Sequence, residues 1–175
     1  MVFSYPAKHS VTRALSVRDP LVYDVLARLR RRRGGSGQLL AWHGPDGWVD
    51  IRSADINAYV KEAAGPEFTA KDFRTWSGTV QAAVGLALID PWPRSVTARR
   101  RAVTATVKEV AAHLGNTPAV CRASYSDPRV IDHFDRGETI ADLGWPGPAR
   151  TGEELRAAAE RALLSLLAGG TVLAA

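Results

Sequence analysis

Helix-start punctuation recurs along this chain so closely that the body can fold only as a series of short and medium helices. Asp19-Pro20, Asn116-Thr117-Pro118 and Asp127-Pro128 each set a side-chain acceptor before a proline. The fixed φ and missing N–H of proline suit the first helical turn. Thr69 stands three residues before Asp72, and Thr151 three before Glu154, the spacing at which two side chains satisfy free amides reciprocally. Stops answer the starts at Gly34, Gly65-Pro66, Pro91 with Pro93, and Gly115. Between them, Leu21, Val22, Val25, Leu26 and Leu29 recur at helical spacing, as do Val103, Val107, Val110, Ala111 and Leu114. The spacing predicts helices over about 20–32, from a Ser53 cap to 64, over 70–88, up to Leu114, over 118–125 and over 128–134. A terminal helix carries Leu155, Ala158, Leu163 and Leu167.

Extended structure is expected at the front. Val2-Phe3-Ser4-Tyr5 and the alternating Val11, Arg13, Leu15 and Val17 read as a β-hairpin over 2–18 with Lys8 near its turn. Leu39 to Trp42 and Trp48 to Ile51 flank Gly44-Pro45-Asp46-Gly47, which suggests a short extended excursion or an irregular loop. The fold class is therefore mainly α with a small N-terminal β-hairpin.

With 175 residues, 46% of them apolar and 23% charged, the chain can bury a sizeable core and is not a disordered polymer. No apolar tract approaches the ~20 residues needed to span a bilayer. Met1-Val2-Phe3-Ser4-Tyr5-Pro6 lacks the basic and apolar regions of a secretory signal. The expected compartment is the cytoplasm, with no membrane partner. A single Cys121 forms no internal disulfide. His9, His43, His113 and His133 are scattered without metal-ligand spacing, so a mechanism without metal is expected. No Walker-type loop, no GxGxxG and no GxSxG elbow occurs, so no nucleotide cofactor is expected either.

Of the 23 basic residues, 19 are arginines, and the net charge is +5. Guanidinium forks match phosphate oxygens better than ammonium groups do, which points to a polyanionic partner. Surface solvation and the helix dipole account for part of that excess, as in Arg28-Leu29-Arg30-Arg31-Arg32-Arg33 at a helix C-terminus. Phosphate chemistry without metal needs cations and hydrogen-bond donors for a pentavalent transition state, together with a nucleophile. Three loci offer them: Arg74 in the first turns of a helix, the pair Asn116 and Tyr125 nine residues apart across a short helix, and Lys8 on the hairpin tip.

Phe68-Thr69-Ala70-Lys71-Asp72-Phe73-Arg74-Thr75-Trp76, then Leu114-Gly115-Asn116-Thr117-Pro118 and Ser124-Tyr125-Ser126-Asp127-Pro128-Arg129-Val130, resemble the arginine and nucleophile blocks of bacterial, poxvirus-like type IB DNA topoisomerases. Ser53-Ala54-Asp55-Ile56-Asn57-Ala58-Tyr59 is similar to the helix before the arginine block, and the resemblance covers roughly residues 2–140. It implies the helical catalytic fold shared with tyrosine recombinases, a catalytic domain over 1–150 and a docking helix over 151–175. It also implies roles: Tyr125 as nucleophile, Arg74 and Asn116 on the non-bridging oxygens, Lys8 as general acid. Lys71, Arg99, Arg100, Arg101 and Arg122 are the implied DNA contacts. Double-stranded DNA is the implied partner of a monomeric, nucleoid-associated enzyme that uses no cofactor.

Tyrosine recombinases usually carry His-x-x-Arg at this block, whereas Lys71 stands three residues before Arg74 here, which favours the topoisomerase resemblance. The family's first catalytic arginine lies on a helix upstream of the hairpin, and Met1 opens almost within the first strand. The expectation is thus a truncated enzyme, with a separate N-terminal polypeptide as the candidate source of that arginine. The alternative is a catalytically impaired DNA-binding remnant.

Overall fold

A computed structural model describes residues 1–6, 12–124, 127–147 and 152–169. They form two compact units, Met1–Pro66 and Glu67–Ala175.

The first unit opens with strands β1 (Val2–Pro6) and β2 (Thr12–Ser16), antiparallel in the register Val2 to Ser16 and Ser4 to Ala14. The Met1 amino group and the Val17 carbonyl extend the ladder at 2.8 Å. The expected turn around Lys8 lies outside the described residues. Helix α1 (Pro20–Arg31) starts as its sequence dictates: the Asp19 carboxylate accepts from the Val22 amide at 3.0 Å and Pro20 occupies the first turn. Arg28, Arg30 and Arg31 fill its last turn, where the exposed carbonyls favour cations.

The segment around Gly44 to Gly47 is a true hairpin. Strands β3 (Ala41–Gly44) and β4 (Gly47–Asp50) pair antiparallel, so the excursion expected from sequence is a second two-stranded sheet. Arg32 organises the loop leading to it. Its guanidinium donates to the Leu29 and Leu39 carbonyls at 2.9 Å and also to the Gln38 carbonyl, and stands 5.4 Å from the Trp48 ring centre. These tertiary contacts hold strands too short to be stable as an isolated hairpin. Helix α2 (Ser53–Ala64) differs from expectation by one residue at its start: Ser53 is already helical, and the Asp55 carboxylate reaches back to the Arg52 amide at 2.7 Å.

The second unit is helical. Helices α3 (Ala70–Ala87) and α4 (Val96–Leu114) pack together, followed by α5 (Pro118–Ser124), α6 (Pro128–Asp135), a 3₁₀ turn over Ile140–Leu143 and α7 (Gly152–Leu167). One apolar cluster draws on all these elements, including Val80 and Leu86 of α3, Val107 and Val110 of α4, Phe134 of α6 and Leu163 of α7. Phe134 and Leu163 are wholly buried, each contributing about 1.5–3 kcal/mol. The approach of α3 to α4 depends on Gly85, where an added Cβ would meet the Thr106 methyl at 2.8 Å. Among the described residues no helix is long and apolar enough to cross a membrane.

Candidate active site

The start of α3 is fixed by a reciprocal cap: the Asp72 carboxylate accepts from the Thr69 amide at 2.8 Å and from its hydroxyl at 2.7 Å. Those bonds from Thr69 hold the Asp72 carboxyl below its usual range. Arg74 follows in the second turn, exposed, with Lys71 exposed one turn earlier.

What brings Arg74 to Asn116 is the end of α4. Gly115 adopts the left-handed conformation (φ 73°, ψ 33°), and the Asn116 amide returns to the Ala111 carbonyl at 2.8 Å, the Schellman closure. The Leu114 carbonyl at such an end has no partner within the helix. The Arg74 guanidinium supplies one, donating Nη2–H to it at 2.8 Å, and a cation suits the negative end of the helix dipole. Two residues beyond that carbonyl, the half-buried Asn116 holds a side-chain Nδ2 that is shielded from solvent and has no hydrogen-bond partner among the described residues. A buried donor without an acceptor costs about 1–3 kcal/mol, so this amide is poised for an acceptor brought from outside. A phosphate oxygen beside a guanidinium meets that need.

Helix α5 starts with the Val120 amide on the Thr117 hydroxyl at 3.3 Å and Pro118 at its first position. Cys121 is fully buried and Arg122 exposed. Tyr125 and Ser126 lie outside the described residues, as does Lys8. The residues on both sides of Tyr125-Ser126 are tied to α3. The Thr75 hydroxyl donates to the Ser124 carbonyl at 3.2 Å, and the Thr79 hydroxyl accepts from the Asp127 amide at 3.2 Å. Asp127 then caps α6, accepting from the Arg129 amide at 2.9 Å and pairing with its guanidinium at 2.7 Å. The Arg129 hydrogen bonds hold the Asp127 carboxyl below its usual range.

The expected DNA contacts divide by environment. Arg100 and Arg101 are exposed on α4, where with Thr97, Thr104 and Lys108 they line a shallow groove. Arg99 points the other way: only 14% of its side chain is exposed, its guanidinium sits 4.8 Å from the Trp92 ring centre, and it donates to the Pro93 and Arg94 carbonyls. Asp135 completes its surroundings at 3.4 Å. No group of three or more His, Cys, Asp or Glu able to hold a metal occurs among the described residues.

Sequence reasoning does not single out Thr79. A signal for it exists nonetheless: a hydroxyl at a core position between Gly78 and Val80 must find partners, because an unbonded one is costly to bury.

A family model described as the catalytic core of eukaryotic DNA topoisomerase I matches residues 1–137. No curated protein matches the chain.

Proposed function

The chain belongs to the DNA topoisomerase I catalytic-core family and is in general function a type IB topoisomerase acting on DNA, and from that premise we propose that it relaxes supercoils by the bacterial, poxvirus-like version of the reaction. Tyr125 attacks a backbone phosphorus; the P–O5′ bond breaks, leaving a 3′-phosphotyrosyl linkage and a 5′-hydroxyl. Arg74 and Asn116 hold the non-bridging oxygens as negative charge builds on them. Lys8 gives its proton to the departing 5′-oxygen and takes one back on religation. The energy of the broken bond is kept in the phosphotyrosyl ester, so rotation and resealing need no nucleotide.

The observation that carries this reading is the Asn116 Nδ2, without a partner among the described residues and two residues from the carbonyl on which Arg74 rests. A neutral amide there can donate to a phosphate oxygen as a histidine would, which fits the asparagine-bearing form. Arg100, Arg101, Lys71 and Arg122 supply exposed cations for the flanking phosphates.

The test is plasmid relaxation in EDTA by the wild-type chain beside Tyr125→Phe, with detergent trapping of the protein–DNA adduct. Relaxation and an adduct that both vanish in the variant support the proposal. Relaxation that survives the substitution removes Tyr125 as nucleophile, and salt-sensitive binding with no adduct from the wild type leaves only a DNA-binding remnant.

A further inference from the structure

We infer that Thr79, with Thr75, is a positioning residue that locks Tyr125 to the same helix that carries Arg74. The inference rests on the reading of Tyr125 as nucleophile and adds residues to which no role has been given.

Thr79 is 2% exposed, among Val80, Ala82 and Ala83, which are buried too. Packing alone would be served by valine, which has the same shape without the polar atom. The hydroxyl is instead used twice. It donates to the Thr75 carbonyl at 2.9 Å, one turn back, and accepts the Asp127 amide across 48 residues of sequence. Thr75 does the complementary task, donating to the Ser124 carbonyl across 49 residues. A donor and an acceptor about 6 Å apart along one helix, at about 1.5 Å per residue, therefore grip the chain immediately before Tyr125 and immediately after Ser126.

Chain connectivity carries that constraint inward, because consecutive Cα atoms sit about 3.8 Å apart. Arg74 is the residue next to Thr75, so phosphate clamp and nucleophile share one rigid support. In-line attack tolerates little error: a displacement of about 1 Å can cost on the order of 10²-fold in rate.

The experiment compares wild type, Thr79→Val, Thr79→Ser and Tyr125→Phe in three measurements: thermal melting, DNA affinity at fixed salt, and the rate of detergent-trapped adduct on supercoiled plasmid. Exchange of the Asp127 amide, followed by NMR without DNA, is a fourth. The expected result is that Thr79→Val binds DNA as wild type does, forms adduct about 10- to 100-fold more slowly and exchanges its Asp127 amide faster, while Thr79→Ser restores rate and protection.

Adduct formation by Thr79→Val at the wild-type rate overturns the inference while leaving Tyr125 as nucleophile. So does an unchanged Asp127 exchange rate, or a loss of affinity equal to the loss of rate, which would mark a residue that only supports the fold. A wild-type chain that traps no adduct through Tyr125 removes the underlying reading, and the inference with it. Should Thr79→Val fail to melt cooperatively, the half-buried Thr75→Val applies the same rate and affinity criteria from the other flank.

Discussion

The Arg74 guanidinium donates to the Leu114 carbonyl at 2.8 Å, joining residues 40 apart in sequence. The start of one helix is thereby tied to the end of another at the place where Asn116 begins the next segment. Arg74→Lys keeps the charge and loses the planar fork that can hold a carbonyl and a phosphate oxygen together. The expected outcome is a fall of on the order of 10²-fold in adduct formation. Stability should change by about 1 kcal/mol or less, the usual net value of one hydrogen bond. Trapping kinetics and a urea melt check the two values separately.

For Asn116 the two properties should diverge. Its Nδ2 is buried without a partner among the described residues, so Asn116→Ala removes a desolvated donor and is expected to leave stability unchanged or raise it by up to about 1 kcal/mol. The same change should slow cleavage by on the order of 10²-fold, because the donor it removes serves the transition state. A variant that loses stability and rate together would show that the amide has a structural partner instead.

Gly85→Ala tests the packing of α3 on α4. The added Cβ would stand 2.8 Å from the Thr106 methyl, and overpacking of this kind typically costs about 1–3 kcal/mol, against a gain of about 1 kcal/mol in helix propensity. Net destabilisation is expected. Adding Thr106→Ser, which deletes the methyl, should recover it in a thermal melt.

The arginines of α4 should separate by role. Arg99→Ala removes the stack on Trp92 and the bonds to two carbonyl acceptors and is expected to destabilise the fold by about 1–2 kcal/mol. Arg100→Ala and Arg101→Ala remove exposed cations. Each should leave stability within about 0.5 kcal/mol and make the slope of log K against log[salt] shallower by about 0.9 for every phosphate no longer neutralised.

Acid sensitivity should trace in part to Asp127. Its carboxyl titrates below the ordinary value because of the Arg129 hydrogen bonds, so the folded state binds the proton more weakly than the unfolded chain does. The stabilisation is complete above about pH 3.9, the unfolded value, and is lost as pH falls through the lower folded-state value. Asp127→Asn keeps an acceptor for the cap and removes the titration. Its stability should depend less on pH than that of wild type below about pH 4, as read from urea melts across that range.

Much of the helical body is legible in the sequence because its signals are local. Asp19-Pro20, Thr69 with Asp72, and Asp127-Pro128 start helices at the residues their chemistry indicates. The second hairpin is ambiguous by the same criteria: its strands have four residues each, and the Arg32 contacts that hold the preceding loop are tertiary. The partial burial of Arg99 depends on Trp92 and Asp135, 36 residues downstream, which no periodicity reveals. Arg74 and Asn116 could be chosen from the sequence, but the carbonyl that joins them could not, because it belongs to Leu114, whose side chain marks it only as apolar. Thr79 was hidden for a related reason: its partner is a backbone amide, and backbone groups leave no trace in composition.

The left-handed turn at Gly115 makes the length of α4 a gauge for the chemistry. One residue inserted in that helix ahead of the turn would swing everything beyond it by about 100° and advance it by about 1.5 Å, moving the Asn116 amide off its bearing while the apolar packing upstream stayed intact. Length variation should therefore be tolerated in the surface loops of this unit and be strongly disfavoured between Val96 and Gly115, even at positions that never meet DNA.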